Sequence, residues 1–142
     1  MIRRLLLALF VLLLAPAVQA QDLARETAKV EDLRSIREIK RLQALWGHMA
    51  IAGDWKGMAG LGAEEVRMVL ANGDAVGRPA LEHWLRERMG KGEDGIPPGR
   101  LNLRLYISPV ITLAPDGQSA TGRWHHIALL GEEGTSAEWI GT

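Results

Sequence analysis

The side chains able to carry chemistry gather in three short runs: "LWGHM" (residues 45–49), "LNLRLYISP" (residues 101–109) and "SATGRWHHIALLG" (residues 119–131). His126 can move a proton near neutral pH, because an unperturbed imidazole titrates there. Arg104 or Tyr106 can steady an oxyanion that develops on a substrate. Trp46, Met49 and Trp124 supply the apolar and aromatic surface that a ring-shaped ligand needs. Other chemistries find no support. Adjacent His125 and His126 point to opposite sides of a strand, so they cannot chelate one metal together. His-x-His and His-Glu-x-x-His spacings are missing, and cysteine is absent, which removes thiol nucleophiles and cysteine-type zinc sites. No serine lies in a nucleophile elbow, and no glycine-rich phosphate cradle precedes a helix. No metal and no cofactor are expected.

Strands must position the last two runs, and their side-chain period of two sorts the residues into faces. In the run from Ala120, one face carries Ala120, Gly122, Trp124, His126, Ala128 and Leu130. It is small and apolar around one large ring, as a concave wall should be, and it turns His126 inward beside Trp124. The other face carries Thr121, Arg123, His125, Ile127 and Leu129, a surface suited to a partner subunit. Residues 101–108 split into Leu101, Leu103, Leu105, Ile107 and Asn102, Arg104, Tyr106, Ser108. Hydrophobicity alone makes the leucine face core and leaves Arg104 in water. Burial of both faces, by a pocket and by a partner, is the alternative.

The remaining pattern is helical first and stranded afterwards. Leu33, Ile36, Ile39, Leu42, Leu45, Trp46 and Met49 recur at three- and four-residue steps, predicting one helix over about residues 22–52. Trp46 and Met49 lie on its buried stripe, and His48 flanks that stripe at about 120° from the centre. Gly53-Asp54 ends the helix, with Asp54 capping a short second one. Residues 66–76 read as a strand and an Asn-Gly turn. "RPALEHWLRERMG" is a third helix, with Pro79 in its first turn, a Leu81/Trp84/Leu85/Met89 stripe, His83 opposite that stripe, and Gly90 at its end. Four glycines and two prolines among residues 90–100 predict a mobile loop. Two strands joined at Pro115-Asp116-Gly117 follow, and "SAEWIGT" begins another. Helices before an antiparallel meander give an α+β domain, the long helix lying across a curved sheet.

The first twenty residues stand apart. "MIRRLLLALFVLLLAPAVQA" has a basic start, an apolar run over residues 5–14 and small residues before Ala20. That is the layout of a signal peptide, and the run is shorter than the ~20 residues a membrane span needs. Residues 1–20 are therefore expected to be cleaved, leaving a single exported domain at 21–142, periplasmic or secreted and free of the membrane. Without Arg3 and Arg4, fifteen basic residues face seventeen acidic ones, a net charge of −2. That balance, with no basic patch, argues against nucleic acid as a partner.

Four stretches, "IKRLQALWGHMAIAGDWKGMAGL", "GRPALEHWL", "SPVITLAPDGQSATGRW" and "EWIG", follow one another at separations that resemble the SnoaL-like branch of the NTF2-like superfamily. The resemblance runs from about Glu31 to Thr142. It implies a cone-shaped, cystatin-like roll, a mainly antiparallel sheet wrapped round the long helix with an apolar pocket at the open end, and dimers formed through the sheets. It also implies that Arg104 faces the pocket. Relatives of this kind include cyclases, dehydratases and isomerases acting on polyketide- or steroid-like rings, beside proteins that only bind ligands. The chain departs from the pattern where relatives often carry a tyrosine (here Trp46), an acid (here Ile51) and a histidine (here Arg104). The acid/histidine pair of dehydratase-like members is thus not carried over. The pattern usually continues past Gly141 with a further strand, so the last strand is expected to be missing from the sequence. Two functions follow: a pocket for a small hydrophobic or aromatic ligand lined by Trp46, Met49, Arg104, Tyr106 and Trp124, or acid/base catalysis on such a ring with His126 moving the proton.

Overall fold

The computed structural model describes the backbone of residues 2–71 and 73–141, and side chains from residue 20 onward within those ranges. The expected signal peptide falls almost wholly on residues whose side chains lie outside that description. Helix α1 spans Ile2–Ala52, and every residue from 20 to 35 is exposed. Among the described residues, no helix is long and apolar enough to cross a membrane.

The predicted apolar stripe of α1 is only partly buried. Leu33, Leu42 and Leu45 are exposed, because the first half of the helix projects beyond the strands and the sheet meets a different arc of its surface. That arc centres on Gln43, Gly47 and Ala50, which follow one another at helical spacing. Ala50 is completely buried there.

The helix stops where Gly53 takes a left-handed conformation, φ +75°, and the chain doubles back so that Asp54 N donates to Met49 O at 2.9 Å. A Cβ on Gly53 would also lie 2.6 Å from Gly95 Cα, so the turn needs glycine twice over. Asp54 then caps α2 (Trp55–Gly60), its carboxylate accepting from Gly57 N at 2.8 Å. Asp54→Ala is expected to cost about 1 kcal/mol, readable as a lower urea midpoint at unchanged slope.

α2 packs against the end of α1, and α3 (Arg78–Met89) packs against α2. Ala50, Trp55, Met58, Ala59, Leu81 and Leu85 form the core there, with Trp46, Met49, Trp84, Met89 and Ile96 packed around it. The glycine-rich loop after α3 is pinned to this core, since Trp55 Nε1 donates to Glu93 O at 3.0 Å and Arg100 Nη2 to Met89 O at 3.0 Å.

The strands form two sheets, the hairpin β1 (Arg67–Met68) and β2 (Ala75–Val76), and the antiparallel meander β3 (Arg100–Leu113), β4 (Ala120–Glu132) and β5 (Glu138–Gly141). α1 lies across the meander, so the α+β class and the helix-on-sheet arrangement are as the sequence predicts. Pairing fixes the faces. Tyr106 stands opposite His126, Arg104 opposite Ala128, and Asn102 opposite Leu130. Asn102, 5% exposed, donates from Nδ2 to Ala50 O at 2.7 Å, so this face turns toward the helix. The leucine face turns outward, with Leu101, Leu105 and Ile107 all exposed. The reading from hydrophobicity alone is therefore corrected: Arg104 is inside and the leucines are outside. Ala50 O, which also accepts from Gly53 N, takes the Asn102 amide as a second donor, a contact that no leucine could make.

One further correction concerns the alternation itself. Residues 108 and 109 form a bulge between the Ile107–His125 and Val110–Arg123 pairs, with Ser108 at φ +53°. The extra residue reverses the parity, and Ile111 and Leu113 take over the inner face. Ser108 does not continue the Arg104 face.

Candidate functional site

α1 rests on the inner face of the meander and leaves a cavity along each flank. The first, about 290 Å³, lies between Lys40, Gly47, His48 and Ile51 of the helix and Arg104, Tyr106 and Trp124 of the sheet. The second, about 370 Å³, lies between Ile39, Leu42 and Trp46 on the other flank and Leu61, Val66, Met68, Leu81 and Trp124. Gln43 and Trp124 belong to both walls.

Tyr106 organises the first cavity. Gly47 lets the helix come down on its ring, since a Cβ there would stand 3.3 Å from Tyr106 Cδ2. Trp46 Nε1 donates to the Tyr106 hydroxyl oxygen at 3.2 Å. An indole only donates, so Tyr106 is the acceptor, and among the described residues its own hydroxyl proton meets no acceptor. Arg104 is held by Asn102, its Nε donating to Asn102 Oδ1 at 3.0 Å. The buried amide thus ties helix end and guanidinium together. Desolvation pushes Arg104 below the usual guanidinium range, with Tyr106 opposing and Arg100 adding to the shift. Arg104 nevertheless stays charged. Among the described residues it makes no ion pair.

His126 stands behind this front rank. Its ring stacks on Tyr106 with centroids 4.7 Å apart and planes 22° apart, and it lines neither cavity. Its Nε2 is buried and has no hydrogen-bond partner among the described residues. Burial holds its pKa below the ordinary value, and nearby Arg104 pushes the same way. The imidazole is therefore neutral at pH 7 and protonates more readily in the unfolded chain. Stability is present above the ordinary histidine pKa and is lost as pH falls through it toward the lowered folded value. The thermal midpoint of the native chain should fall more between pH 7.5 and pH 5 than that of His126→Gln, and equal falls would contradict this.

Trp46, Arg104, Tyr106 and Trp124 thus share one region on the inner face. Met49 packs on the core and lines neither cavity. Trp84 likewise belongs to the core, with its Nε1 unpartnered. His48 is exposed at the rim of the first cavity, and His83 is exposed on α3. Three contributors escaped sequence reasoning. Gln43 and Asn102 look like ordinary polar residues, and Gly47 had one available signal, a glycine inside a strong helix that costs about 1 kcal/mol unless something approaches closely. Among the described residues, no three acidic or histidine side chains are placed to hold a metal ion.

A bent antiparallel meander cradling a long helix, with cavities between them, defines an NTF2-like α+β roll. The same architecture appears in the structure of Aln2 from a Streptomyces species, at a TM-score of 0.63 and 17% identity, covering 75% of this chain and 73% of that one. It appears again in an NTF2-like protein with a cystatin-like fold from Novosphingobium aromaticivorans, at a TM-score of 0.61 and 23% identity, covering 81% and 70%. At such identities the likeness is one of fold. A family model described as the SnoaL-like domain matches residues 31–142, and the chain belongs to that family. No curated protein matches the sequence significantly. SnoaL-like domains on the NTF2 fold serve as ligand-binding or isomerase- and cyclase-type proteins.

Proposed function

We propose that this SnoaL-like domain binds a small hydrophobic or aromatic molecule bearing an acidic group, without chemistry of its own. The observation that carries this reading is Arg104: a half-buried guanidinium with no carboxylate partner among the described residues, beside a Tyr106 hydroxyl proton with no acceptor among them, in a cavity walled by Trp124. A partly desolvated cation and a neutral donor converging on one space suit a carboxylate or enolate oxygen. Ile51, also on that wall, leaves the cavity without a carboxylate to act as base. Titration of tryptophan emission with benzoate and a panel of larger aromatic carboxylates tests the reading. Saturable quenching supports it, and a flat response across the panel overturns it.

The orphaned Nε2 of His126 favours a second reading, proton transfer on such a ring during enolisation, dehydration or cyclisation. There Tyr106 must turn aside to admit the substrate. Unchanged turnover of an identified substrate by His126→Ala would dispose of it.

Two further parts of the proposal concern context. Export is supported by the leader-like composition of residues 1–20, and a mature N-terminus at Gln21 in the exported protein is the expected finding. A homodimer through the outer sheet face is supported by its unpartnered side chains, among them Leu101 at 44% and Trp139 at 72% exposure. Light scattering should give twice the protomer mass for the native chain and one protomer mass for Leu101→Glu. A native monomer at micromolar concentration would refute it.

A further inference from the structure

The two cavities differ in character yet share walls. The side chains lining the first include Lys40, His48 and Arg104, and none is acidic. The second is lined mainly by aliphatic side chains, and its one cation, Arg67, is already paired with Asp74. Gln43 and Trp124 stand where they meet, and Gln43 makes no hydrogen bond among the described residues that would tie it across the gap. Trp46, on the wall of the second cavity, donates to Tyr106, on the wall of the first, so this hydrogen bond links the two walls. An ionised group entering the second cavity would lose its hydration and find no free counter-charge, whereas an apolar chain would gain by leaving water.

We infer that the ligand is an elongated amphipathic carboxylate rather than a compact ring, its acid group on Arg104 and Tyr106 and its apolar tail passing Gln43 and Trp124 into the second cavity. This rests on the proposed binding of an acidic ligand and adds the shape of that ligand. Each cavity alone is near the lower end of ligand-pocket sizes, about 300 Å³, and together they accommodate a much larger molecule.

The test compares benzoate with 4-hexylbenzoate, both monomeric in solution, on the full chain. Leu42→Trp is the discriminating variant, since Leu42 lines the second cavity yet is 47% exposed, so an indole there obstructs the cavity without disturbing the core. The hexyl compound should bind about thirty-fold more tightly than benzoate, given a modest share of the gain per buried methylene. Leu42→Trp should erase most of that gain and leave benzoate affinity within about two-fold of native. Equal affinities for the two compounds, or a gain untouched by Leu42→Trp, would overturn the inference while the acidic-ligand reading stands. Failure of both compounds to bind would overturn the inference, and a flat response across the wider carboxylate panel would remove the acidic-ligand reading as well.

Discussion

Arg104→Gln is expected to weaken binding of an aromatic carboxylate by about ten- to a hundred-fold, with the fold intact. A hydrogen bond to a charged partner contributes roughly 1.5–3 kcal/mol, and each 1.4 kcal/mol is a factor of ten in affinity. The loss belongs to the charge rather than to the scaffold. Asn102 holds Arg104, but its bond to Ala50 O, which fastens the helix to the sheet, does not pass through the guanidinium. Removing a half-buried cation that lacks an ion pair also removes a desolvation cost, so the variant should be no less stable than the native chain. Titrating tryptophan emission in both proteins, with thermal unfolding alongside, separates the two effects. Undiminished affinity for every carboxylate that binds the native protein would show that Arg104 holds no anion. Tyr106→Phe should lose less, about three- to ten-fold, because it removes one neutral donor.

Trp55→Ala is expected to cost about 3–5 kcal/mol, a large share of the ~5–15 kcal/mol that holds a single domain together. Trp55 is 1% exposed and stands among Ala50, Met58, Ala59, Leu81 and Leu85, at the junction of all three helices. Its truncation leaves a cavity that neighbours anchored on separate elements cannot close. It also frees Glu93 O, the point at which the glycine-rich loop is fastened. Trp55→Phe separates these contributions. It keeps most of the ring but gives up the N–H, and should cost about 1–2 kcal/mol for the lost bond, plus whatever the smaller ring leaves unfilled. Urea unfolding followed by circular dichroism reads all three proteins. An alanine variant within 1 kcal/mol of native would mean that the helical core does not carry the fold.

The loop that Trp55 fastens shows how composition misleads when read locally. Its glycines and prolines describe backbone freedom, and a hydrogen bond that curbs it comes from residue 55, far away in sequence. The bulge at residues 108 and 109 has the same lesson for the strands. Alternation through "LNLRLYISPVITL" is legible, but the extra residue that reverses it shows only when β4 lies alongside.

By itself, the sequence determined the elements and the class. Period-3.6 and period-2 patterns, Gly53-Asp54, Pro79 and Gly90 are local signals, and helices before a meander admit few arrangements. Taken in order, four weak stretches also pointed to the SnoaL-like family. Tertiary structure decided which side of each element faces the site. A strand with leucines on one face and Asn102, Arg104 and Tyr106 on the other has a definite alternation but no definite sign, because alternation alone does not say which face turns to the helix. Contact with the backbone of α1 supplied the sign. His126 is the same case in depth: its face was legible, but its place behind Tyr106 depends on a cross-strand pairing that no stretch of either strand contains. Local chemistry sets what a residue can do, and only long-range pairing sets what it can reach.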